Sequence, residues 1–389
     1  MRIGIFTNTY YPSVNGVAQC VSYYEQGLRE RGHEVVVFAP APEDYDRSQD
    51  GENVYRFPTL PLPIDVDYSV AAPYSAPVVK ALRRLDFDII HTQHPLWVGA
   101  WGAWYARWAE VPLVTTVHTE YRLFAHIIPL PEALVEAYLR VRVASFCNKC
   151  EVITTPAASM RRLLRKEGVR RPIEVVPNPT RIADFAHADG TGIRRQYGLA
   201  EDATVLGFVG RLSGEKNISF LMEAASQVMK HRPEVYFLLV GDGPEREALG
   251  EQARQMGLAD RVLFAGVIPH SEVPQYQAAL DLFITASLSE TQPLAYTEAM
   301  AAGKPVIAVR APGAQDMIIP GENGLLAEPE AGPAALAEQI ESLVADPKLR
   351  AAVGEKARAW AAQTDVAQVA EKLEQVYLRA RHLSEEEPI

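Results

Sequence analysis

The chain has 389 residues, of which 48% are hydrophobic and 22% are charged, and its formal net charge is −11. One hydrophobic core rarely extends over this length, so we expect two domains. The net negative charge argues against a protein that binds nucleic acid mainly through phosphate contacts. The chain has three cysteines, Cys20, Cys147 and Cys150. This small, odd number argues against a disulfide scaffold and favours a location in the reducing cytoplasm.

The chain begins Met-Arg-Ile-Gly-Ile-Phe, which is typical of a buried strand and unlike a signal peptide. No uncharged apolar run approaches 18 residues, so we expect no membrane-spanning helix and at most a peripheral contact with a membrane.

Short apolar runs alternate with longer amphipathic segments in the first half, a pattern typical of an α/β fold. It predicts strands at residues 2–7 and 34–39, with a helix at 17–31 that ends before Gly32. Further strands are predicted at 86–91, 113–118, 152–155 and 173–176. Because open parallel sheets bind ligands at the carboxyl ends of their strands, the residues after these strands are the first candidates for a site.

The pattern breaks at Pro177-Asn178-Pro179 and at the short polar segment 187–192, where we place the domain junction. A second βα series follows, with strands at 204–210, 235–240, 262–266, 282–286 and 305–309 and helices at 218–231 and 245–257. The chain ends in two helical stretches, at 333–345 and 348–383. The sequence therefore predicts two Rossmann-like, doubly wound domains, at 1–185 and 195–365, and a helix at 366–389 that packs back on the first domain.

The most specific segment is 289–305, Ser-Glu-Thr-Gln-Pro-Leu-Ala-Tyr-Thr-Glu-Ala-Met-Ala-Ala-Gly-Lys-Pro, which follows a strand and opens a helix. Glu290 is expected in the loop and Glu298 inside the helix, with Pro293 in its first turn. Free N–H groups at the start of such a helix, those of Leu294 and Ala295, attract phosphate. Carboxylates beside them suit sugar hydroxyls.

A second segment, Gly-Arg-Leu-Ser-Gly-Glu-Lys-Asn at 210–217, follows the first strand of the second domain. Arg211 and Lys216 on this loop would neutralise a departing diphosphate. The alternative is that Glu215 forms a surface ion pair with a neighbour.

Two further candidates lie in the first domain. His118 lies at the carboxyl end of a strand of the first-domain sheet, and Tyr121 lies close behind it. The loop 8–17 holds Tyr10, Asn15 and Gly16, and the glycine permits close approach of a ligand at a helix start. This loop is not the G-x-G-x-x-G fingerprint, which weighs against a dehydrogenase.

Glu290 and Glu298, with the Glu-Ala-Met-Ala-Ala-Gly-Lys-Pro run, resemble the E-x7-E element of retaining glycosyltransferases of family four. The resemblance implies the GT-B fold, with an interdomain cleft and a nucleotide diphosphate sugar as donor. It implies that Glu290 holds the donor sugar, Glu298 the ribose, and Arg211 and Lys216 the phosphates, with His118 near the reaction centre. No metal or other cofactor is needed in that family. The sequence departs from the family at Pro293, where many members have glycine.

A narrower resemblance, to bacterial diacylglycerol glucosyltransferases, is carried by 118–121, 126–129 and 146–150. It implies UDP-glucose as donor and a lipid acceptor such as diacylglycerol. In this interpretation Tyr10, Asn15 and Tyr121 contribute to the acceptor side. The alternatives are GDP-mannose or another donor on a non-lipid acceptor, a nucleotide-sugar-binding protein without catalysis, and a sugar-nucleotide epimerase or phosphorylase.

A basic segment favours contact with an anionic membrane. Between 140 and 171 the chain has nine Lys or Arg against two acids. Four of the bases, Arg161, Arg162, Arg165 and Lys166, fall in one predicted helix and can attract anionic lipid head groups at the inner face of the membrane. The alternative is an ordinary solvated helix.

Two patterns are set aside. The acid pair Asp65 and Asp67 lies in a proline-containing stretch and is not interpreted as a metal site. Cys147 and Cys150 form an isolated C-x-x-C, which lacks the two further ligands of a zinc site and is better explained as a packed helical face.

Overall fold

The computed structural model describes residues 1–13, 15–42, 45–46, 50–60, 70–72, 74–122, 125, 128 and 130–386. The chain divides into two units, one comprising Met1–Pro179 with Val366–Ile389 and the other comprising Thr180–Asp365. The division falls at Pro179 and not at 185, because helix Ile182–Ala186 packs in the second unit and buries Phe185 there.

Over the described part of the first unit, seven parallel strands form one sheet and two short strands form a separate antiparallel pair. The sheet has the order β3-β2-β1-β6-β7-β8-β9, and the pair is β4 with β5. In chain order the strands are β1 (Arg2–Phe6), β2 (Glu34–Pro40), β3 (Val54–Phe57), β4 (Thr59–Leu60), β5 (Val70–Ala71), β6 (Ile89–Thr92), β7 (Leu113–Thr116), β8 (Val152–Thr155) and β9 (Ile173–Val175).

Helices cover both faces of this sheet, since the strands are apolar on both sides. One face carries α2 (Ala76–Leu82), α3 (Val98–Trp108), α4 (Glu132–Cys147) and α5 (Ala158–Lys166). The other face carries α1 (Gly16–Glu30) and the last helix of the chain, Val366–Glu386.

The second unit, all of whose residues are described, repeats the architecture with a six-stranded parallel sheet of order β12-β11-β10-β13-β14-β15. Its strands are β10 (Thr204–Val209), β11 (Val235–Val240), β12 (Val262–Gly266), β13 (Leu282–Thr285), β14 (Val306–Val309) and β15 (Gly324–Ala327). Its helices are α6 (Ile182–Ala186), α7 (Thr191–Gln196), α8 (Ile218–His231), α9 (Arg246–Gln255), α10 (Val273–Ala279), α11 (Leu294–Ala301), α12 (Pro312–Met317), α13 (Gly332–Ala345) and α14 (Pro347–Ala361). The predicted fold class, two Rossmann-like doubly wound domains, is confirmed.

The prediction of one helical stretch over 348–383 is wrong. α14 ends at Ala361, a 3₁₀ turn covers Ala362–Thr364, and α15 (Val366–Glu386) begins after Asp365. At the break the buried Thr364 donates its hydroxyl to the Ala361 carbonyl and accepts the Thr180 N–H at its own carbonyl, at 2.8 Å in each case. The sequence has helical periodicity on both sides of the break and therefore does not indicate it. The break depends on contacts with residues distant in sequence.

α15 is fastened to the first unit by packing and by polar contacts. The Tyr377 hydroxyl lies 2.8 Å from His91 Nδ1 of β6, entirely inside the core. Glu374 accepts from Arg31 Nε at 2.9 Å and lies 3.1 Å from His33 Nε2. Gly27 of α1 allows α15 to approach closely, since a Cβ at that position would lie 2.8 Å from the Ala370 Cβ.

We predict that Gly27→Ala lowers the free energy of unfolding by ~1–3 kcal/mol, because the added methyl overpacks the contact between α1 and α15. This loss opposes the gain of up to ~1 kcal/mol that alanine gives over glycine inside a helix. Denaturant unfolding of the two proteins measures the difference.

The matched control is Gly250→Ala in the interior of α9, where a Cβ would meet nothing within 4 Å. That variant should be as stable as the parent protein or more stable. A Gly27→Ala protein that gains stability in the same way would contradict the close packing of α15.

Candidate functional site

Several of the predicted site residues lie on or next to loops at the carboxyl ends of the two sheets. In each sheet the strand order reverses near the centre, between β1 and β6 in the first unit and between β10 and β13 in the second. Open parallel sheets bind ligands at such switch points. The loops that follow β1, β10 and β13 carry the residues that the sequence singled out: Tyr10, Asn15 and Gly16; Arg211 and Lys216; and Glu290, respectively.

The loop after β10 is interlocked with the loop after β11. The Leu212 N–H donates to the Asp242 carbonyl at 2.9 Å, and the Leu212 carbonyl accepts the Glu245 N–H at 3.0 Å. A Cβ at Gly243 would lie only 2.3 Å from the Leu212 carbonyl oxygen. Sequence reasoning missed this support, although the run Gly241-Asp242-Gly243 directly after a strand signals it.

The Glu215 carboxylate on the loop after β10 is stabilised by its neighbours. Partial burial raises the pKa of Glu215, but the Ser213 hydroxyl, the Glu215 backbone N–H and the charges of Lys216 and Arg211 together lower it below its ordinary value. The Ser213 hydroxyl donates to the Glu215 carboxylate at 2.6 Å. Arg211 is exposed.

Lys216 and Glu290, 74 positions apart in the sequence, meet in the structure. The Lys216 ammonium donates to Glu290 Oε1 at 2.5 Å, and the Ser287 hydroxyl donates to the same oxygen at 3.1 Å. Both charged side chains are largely buried, with 23% and 18% of their side-chain surface exposed. The cation of the β10 loop and the acid of the β13 loop thus form one polar centre within the second unit.

Backbone packing fixes the position of Glu290. A Cβ at Gly313, in α12, would lie 2.2 Å from the Glu290 carbonyl oxygen and 2.6 Å from that of Thr291. Any side chain at Gly313 would displace the loop that carries Glu290. The Ser287 hydroxyl also lies 3.3 Å from the Glu215 carbonyl, which ties the β13 loop to the β10 loop.

The helix after Glu290 begins one residue later than predicted. Pro293 is the N-cap, with φ −70° and ψ 132°, and Leu294 is the first residue of α11. Pro293 itself makes no side-chain hydrogen bond to the helix. The first N–H groups, those of Leu294 and Ala295, are the ones that intrahelical bonds leave without partners, so they can receive hydrogen-bond acceptors from a ligand.

Glu298 is a buried acid, since only 6% of the residue is exposed. His270 Nε2 lies 3.7 Å from Glu298 Oε1, where a protonated imidazole would pair with the carboxylate. His270 opens a 3₁₀ turn, His270–Glu272, beyond the end of β12. Sequence reasoning did not find this histidine, because no motif marks it.

The first unit uses Asn15 to shape the start of α1. Its side chain caps the helix by accepting the Ala18 N–H at 2.9 Å, and it accepts the Thr9 hydroxyl at 3.3 Å. Gly16, the first residue of α1, borders open space, because a Cβ there would meet nothing within 4 Å. The helix start is accessible, whereas the Asn15 side chain is already engaged.

The sequence analysis expected Tyr10 on the acceptor side, but its side chain is buried. It is 9% exposed and packs with the core formed by α1 and α15, and its hydroxyl donates to Glu25. The neighbouring Tyr11 is exposed and donates its hydroxyl to Gln19 at 2.7 Å. The loop sequence does not indicate that Tyr10 is buried, because the burial depends on packing against helix α1.

His118 lies at the carboxyl edge of the first sheet, just beyond β7, and is 5% exposed. Its Nε2 lies 2.8 Å from Oε1 of Gln93, the residue that follows β6. Burial lowers the pKa of His118 to about 4, against an opposing hydrogen bond with Asn178. The imidazole is therefore neutral near pH 7. Gln93, a residue that sequence reasoning missed, orients the ring.

Two more buried histidines belong to the same part of the first unit. His94 accepts the Asn8 N–H at Nδ1, at 3.2 Å, so it helps to hold the loop after β1. His91 Nε2 lies 2.7 Å from the Thr116 hydroxyl, and its other nitrogen meets α15. Burial and the nearby His118 lower the pKa of each to about 3.

Tyr121 is partly buried and lines a small pocket between α4 and α5 with Arg122 and Glu167. The four bases of α5, Arg161, Arg162, Arg165 and Lys166, all lie on its exposed side, while Met160 and Leu164 anchor the helix to the sheet.

Some motifs lie outside the described residues, namely Asp65, Asp67, His126, Ile127 and Pro129. Cys147 and Cys150 are buried, and burial raises the pKa of both thiols. Among the residues that the structure describes, no cluster of three or more His, Cys, Asp or Glu side chains is arranged to hold a metal ion. No helix in the described part of the chain is long and apolar enough to cross a membrane.

Two family models match the chain, one in each half. The model described as glycosyltransferase family 4 matches residues 14–183, and the model described as glycosyl transferases group 1 matches residues 190–360.

Comparison with known proteins points to several donors. The chain is 33% identical over 313 residues to the alpha-monoglucosyldiacylglycerol synthase of Streptococcus pneumoniae, covering 79% of this chain and 71% of that protein. It is 29% identical over 332 residues to a GDP-mannose-dependent alpha-mannosyltransferase of Corynebacterium glutamicum, covering 84% and 76%. Among solved structures, Anabaena HepE in complex with UDP-glucose is similar, with a TM-score of 0.77, 25% identity and coverage of 97% and 99%.

The buried histidines predict how stability depends on pH. His91, His94 and His118 have pKa values of about 3, about 3 and about 4, whereas in the unfolded chain they titrate near 6.5. As pH falls below 6.5, the unfolded state binds protons that the folded state does not. Each histidine should then lower the free energy of unfolding by up to ~1.4 kcal/mol per pH unit, down to its folded pKa. Denaturant unfolding between pH 7 and pH 5 measures this slope.

His118→Gln should reduce the slope by the share of one histidine. His231→Gln, at an exposed position at the end of α8, is the control and should leave the slope unchanged. An equal slope in the His118→Gln protein and the parent would show that His118 is not held neutral.

Proposed function

The chain belongs to glycosyltransferase family 4, and from that membership we propose that it transfers glucose from UDP-glucose to a lipid acceptor such as diacylglycerol, with retention of configuration. That it is a glycosyltransferase of the GT-B fold that uses a nucleotide sugar follows from the comparisons. The observation that carries the proposal is the meeting of Lys216 with Glu290 beside the start of α11.

The chemistry of this centre fits a sugar joined to a diphosphate. Lys216 and Arg211 would receive the diphosphate charge, helped by the N–H groups of Leu294 and Ala295. Glu290, held by Lys216 and Ser287, has a second oxygen that can accept a sugar hydroxyl.

Recognition of the nucleotide is assigned to the buried acid of α11. Glu298 would accept hydrogen bonds from the ribose hydroxyls, in a site bordered by His270. Because Pro293 has no N–H, the backbone donor that glycine supplies there in many family members is absent, and the donor phosphates would rely more on Arg211 and Lys216.

For the reaction we propose substitution on one face of the sugar. The bond between the anomeric carbon and the diphosphate oxygen breaks through an oxocarbenium-like state, and the departing oxygen takes the proton of the acceptor hydroxyl as the new bond forms. Arg211 and Lys216 stabilise the charge that develops on the leaving group. A carboxylate neutralised by lysine, as Glu290 is, suits holding the sugar better than attacking it.

We assign His118 a place near the sugar, where its neutral imidazole can exchange hydrogen bonds with hydroxyl groups. Gly16 would leave the start of α1 open to the donor phosphates or the acceptor. In this proposal neither a metal ion nor another cofactor takes part.

UDP-glucose is preferred as donor because the names of two similar proteins agree on glucose. The relative from Streptococcus pneumoniae is named for monoglucosyldiacylglycerol, and the Anabaena structure is titled as a complex with UDP-glucose. The mannosyltransferase of Corynebacterium glutamicum makes GDP-mannose the second candidate.

A lipid acceptor is supported by the outer surface of the helices that cover one face of the first sheet. α4 exposes Leu134 by 68%, Tyr138 by 60% and Val141 by 62%, at positions that share one side of the helix. α3 exposes Trp104 and Trp108, whose rings stack with centroids 6.4 Å apart. We call these five residues the outer apolar surface.

Basic residues accompany the outer apolar surface. Arg140 and Arg142 are exposed on α4, and the bases of α5 belong to the same helical layer. Aromatic and aliphatic side chains with flanking bases match the chemistry of an anionic bilayer surface, where each base contributes about 1 kcal/mol. We therefore propose a cytoplasmic protein that binds the inner face of the membrane peripherally.

The donor is tested by thermal shift with UDP-glucose, UDP-galactose, GDP-mannose and ADP-glucose, using UDP, GDP and NAD for comparison. We expect UDP-glucose to give the largest increase in melting temperature, since a ligand at 100 times its dissociation constant adds about 2.7 kcal/mol. A larger shift with GDP-mannose would favour the mannosyl alternative.

Lys216→Ala should abolish the shift, while Lys230→Ala, at an exposed position of α8, should retain it. No shift with any nucleotide sugar, or an unchanged shift in Lys216→Ala, would contradict the proposed donor site.

The acceptor is tested with vesicles that contain diacylglycerol, with and without anionic lipid. We expect the protein to sediment with anionic vesicles and to form glucosyl-diacylglycerol there, with the α configuration measured by NMR. Combined Leu134→Ser, Tyr138→Ser and Val141→Ser should reduce binding and transfer together, because the buried apolar area is lost.

The control combines Leu349→Ser and Leu378→Ser, which change exposed leucines on α14 and α15. It should bind vesicles as the parent does. Transfer of glucose to a water-soluble acceptor, with none to diacylglycerol, would reject the lipid acceptor. The donor proposal would then remain in place.

A further inference from the structure

A buried arginine joins the loop after β1 to the edge of the first sheet. Arg56, in β3, is 4% exposed and forms an ion pair with Asp50, at 2.7 Å from Nη2 to Oδ1 and 3.1 Å from Nε to the same oxygen. The carboxylate of Asp50 is also largely buried and accepts the Tyr45 hydroxyl at 3.0 Å. The charge of Arg56 is thus balanced inside the protein.

The rest of the guanidinium reaches two other segments. Nη1 donates to the Pro40 carbonyl at the end of β2, at 3.0 Å, and Nη2 donates to the Tyr11 carbonyl, at 2.5 Å. The guanidinium carbon also lies 5.5 Å from the centre of the Tyr10 ring. One side chain therefore holds the end of a strand and the loop between β1 and α1.

The contact falls within a turn that leads into the start of α1. The Ser13 N–H donates to the Tyr10 carbonyl at 3.0 Å, which closes a turn whose next carbonyl, that of Tyr11, Arg56 binds. Asn15 then caps the helix. A shift of the Tyr11 carbonyl would be transmitted to Gly16 and the first N–H groups of α1.

We propose that Arg56 is a positioning residue, which sets the loop after β1 in the geometry needed for sugar transfer. Only a planar fork with several donors can satisfy Asp50, Pro40 and Tyr11 at once, so lysine is a poor replacement. An apolar side chain of similar volume could fill the space without the cost of burying a charge. This inference rests on the proposed function, in which the loop faces the substrates.

The test compares Arg56→Lys with the parent protein by hydrogen exchange and by kinetics. Amides of residues 8–20 should exchange faster in the variant, and kcat should fall at least ~10-fold, because small displacements of positioned groups cost rate. The dissociation constant for UDP-glucose should change less than kcat, since Glu290 and Glu298, which are assigned to the donor sugar and ribose, lie in the second unit. Guanidinium ion added to Arg56→Ala should restore part of kcat.

Arg261→Lys is the matched control. Arg261 Nη1 donates to the carbonyls of Met229, Arg232 and Val235 at 2.9–3.3 Å, so it also joins several backbone carbonyls, but at the end of α8. This variant should lose stability without a change in kcat, and guanidinium ion should not activate it.

Unchanged exchange over residues 8–20, or unchanged kcat, in Arg56→Lys would overturn the inference. Hydrogen exchange is measured without substrate. It therefore tests whether Arg56 holds the loop even when the parent protein transfers no sugar. Inactivity of the parent with every donor and acceptor would instead reject the proposed function.

Discussion

The ion pair between Lys216 and Glu290 is the interaction on which the rest of the site depends. It requires two loops from neighbouring strands of one sheet, β10 and β13, to present opposite charges at the same point. Glycines make this possible, because Gly243 and Gly313 let backbone carbonyls approach where any Cβ would collide. Charge, topology and backbone packing thus converge on one small volume of the second unit.

Much of the architecture could be predicted from the sequence, because buried parallel strands are nearly continuous apolar runs and each ends at a polar loop. The same pattern places Arg211, Lys216 and Glu290 after strands, but the strand order that brings the β10 and β13 loops together is seen only in the structure. What could not be predicted depends on partners far along the chain. Tyr10 resembles a surface aromatic until α1 covers it, and the break before α15 is set by Thr180, which pairs with Thr364.

The polar residues that sequence reasoning missed share one property: they act on another side chain or on the backbone. Gln93 orients His118, His270 lies beside Glu298, and Arg56 binds the Tyr11 carbonyl. None belongs to a motif that spacing reveals, because its role is defined by a neighbour in space.

The return of α15 to the first unit has a consequence for how the chain is made. The second unit is continuous in sequence, whereas the first unit is completed by residues 366–389, so one domain is inserted within the other. On the ribosome the inserted domain has all its strands before the first domain receives Val369, Leu373 and Tyr377, which fill one side of its core. During synthesis the earlier part of the first unit therefore lacks the side chains of α15 until the second unit has been made.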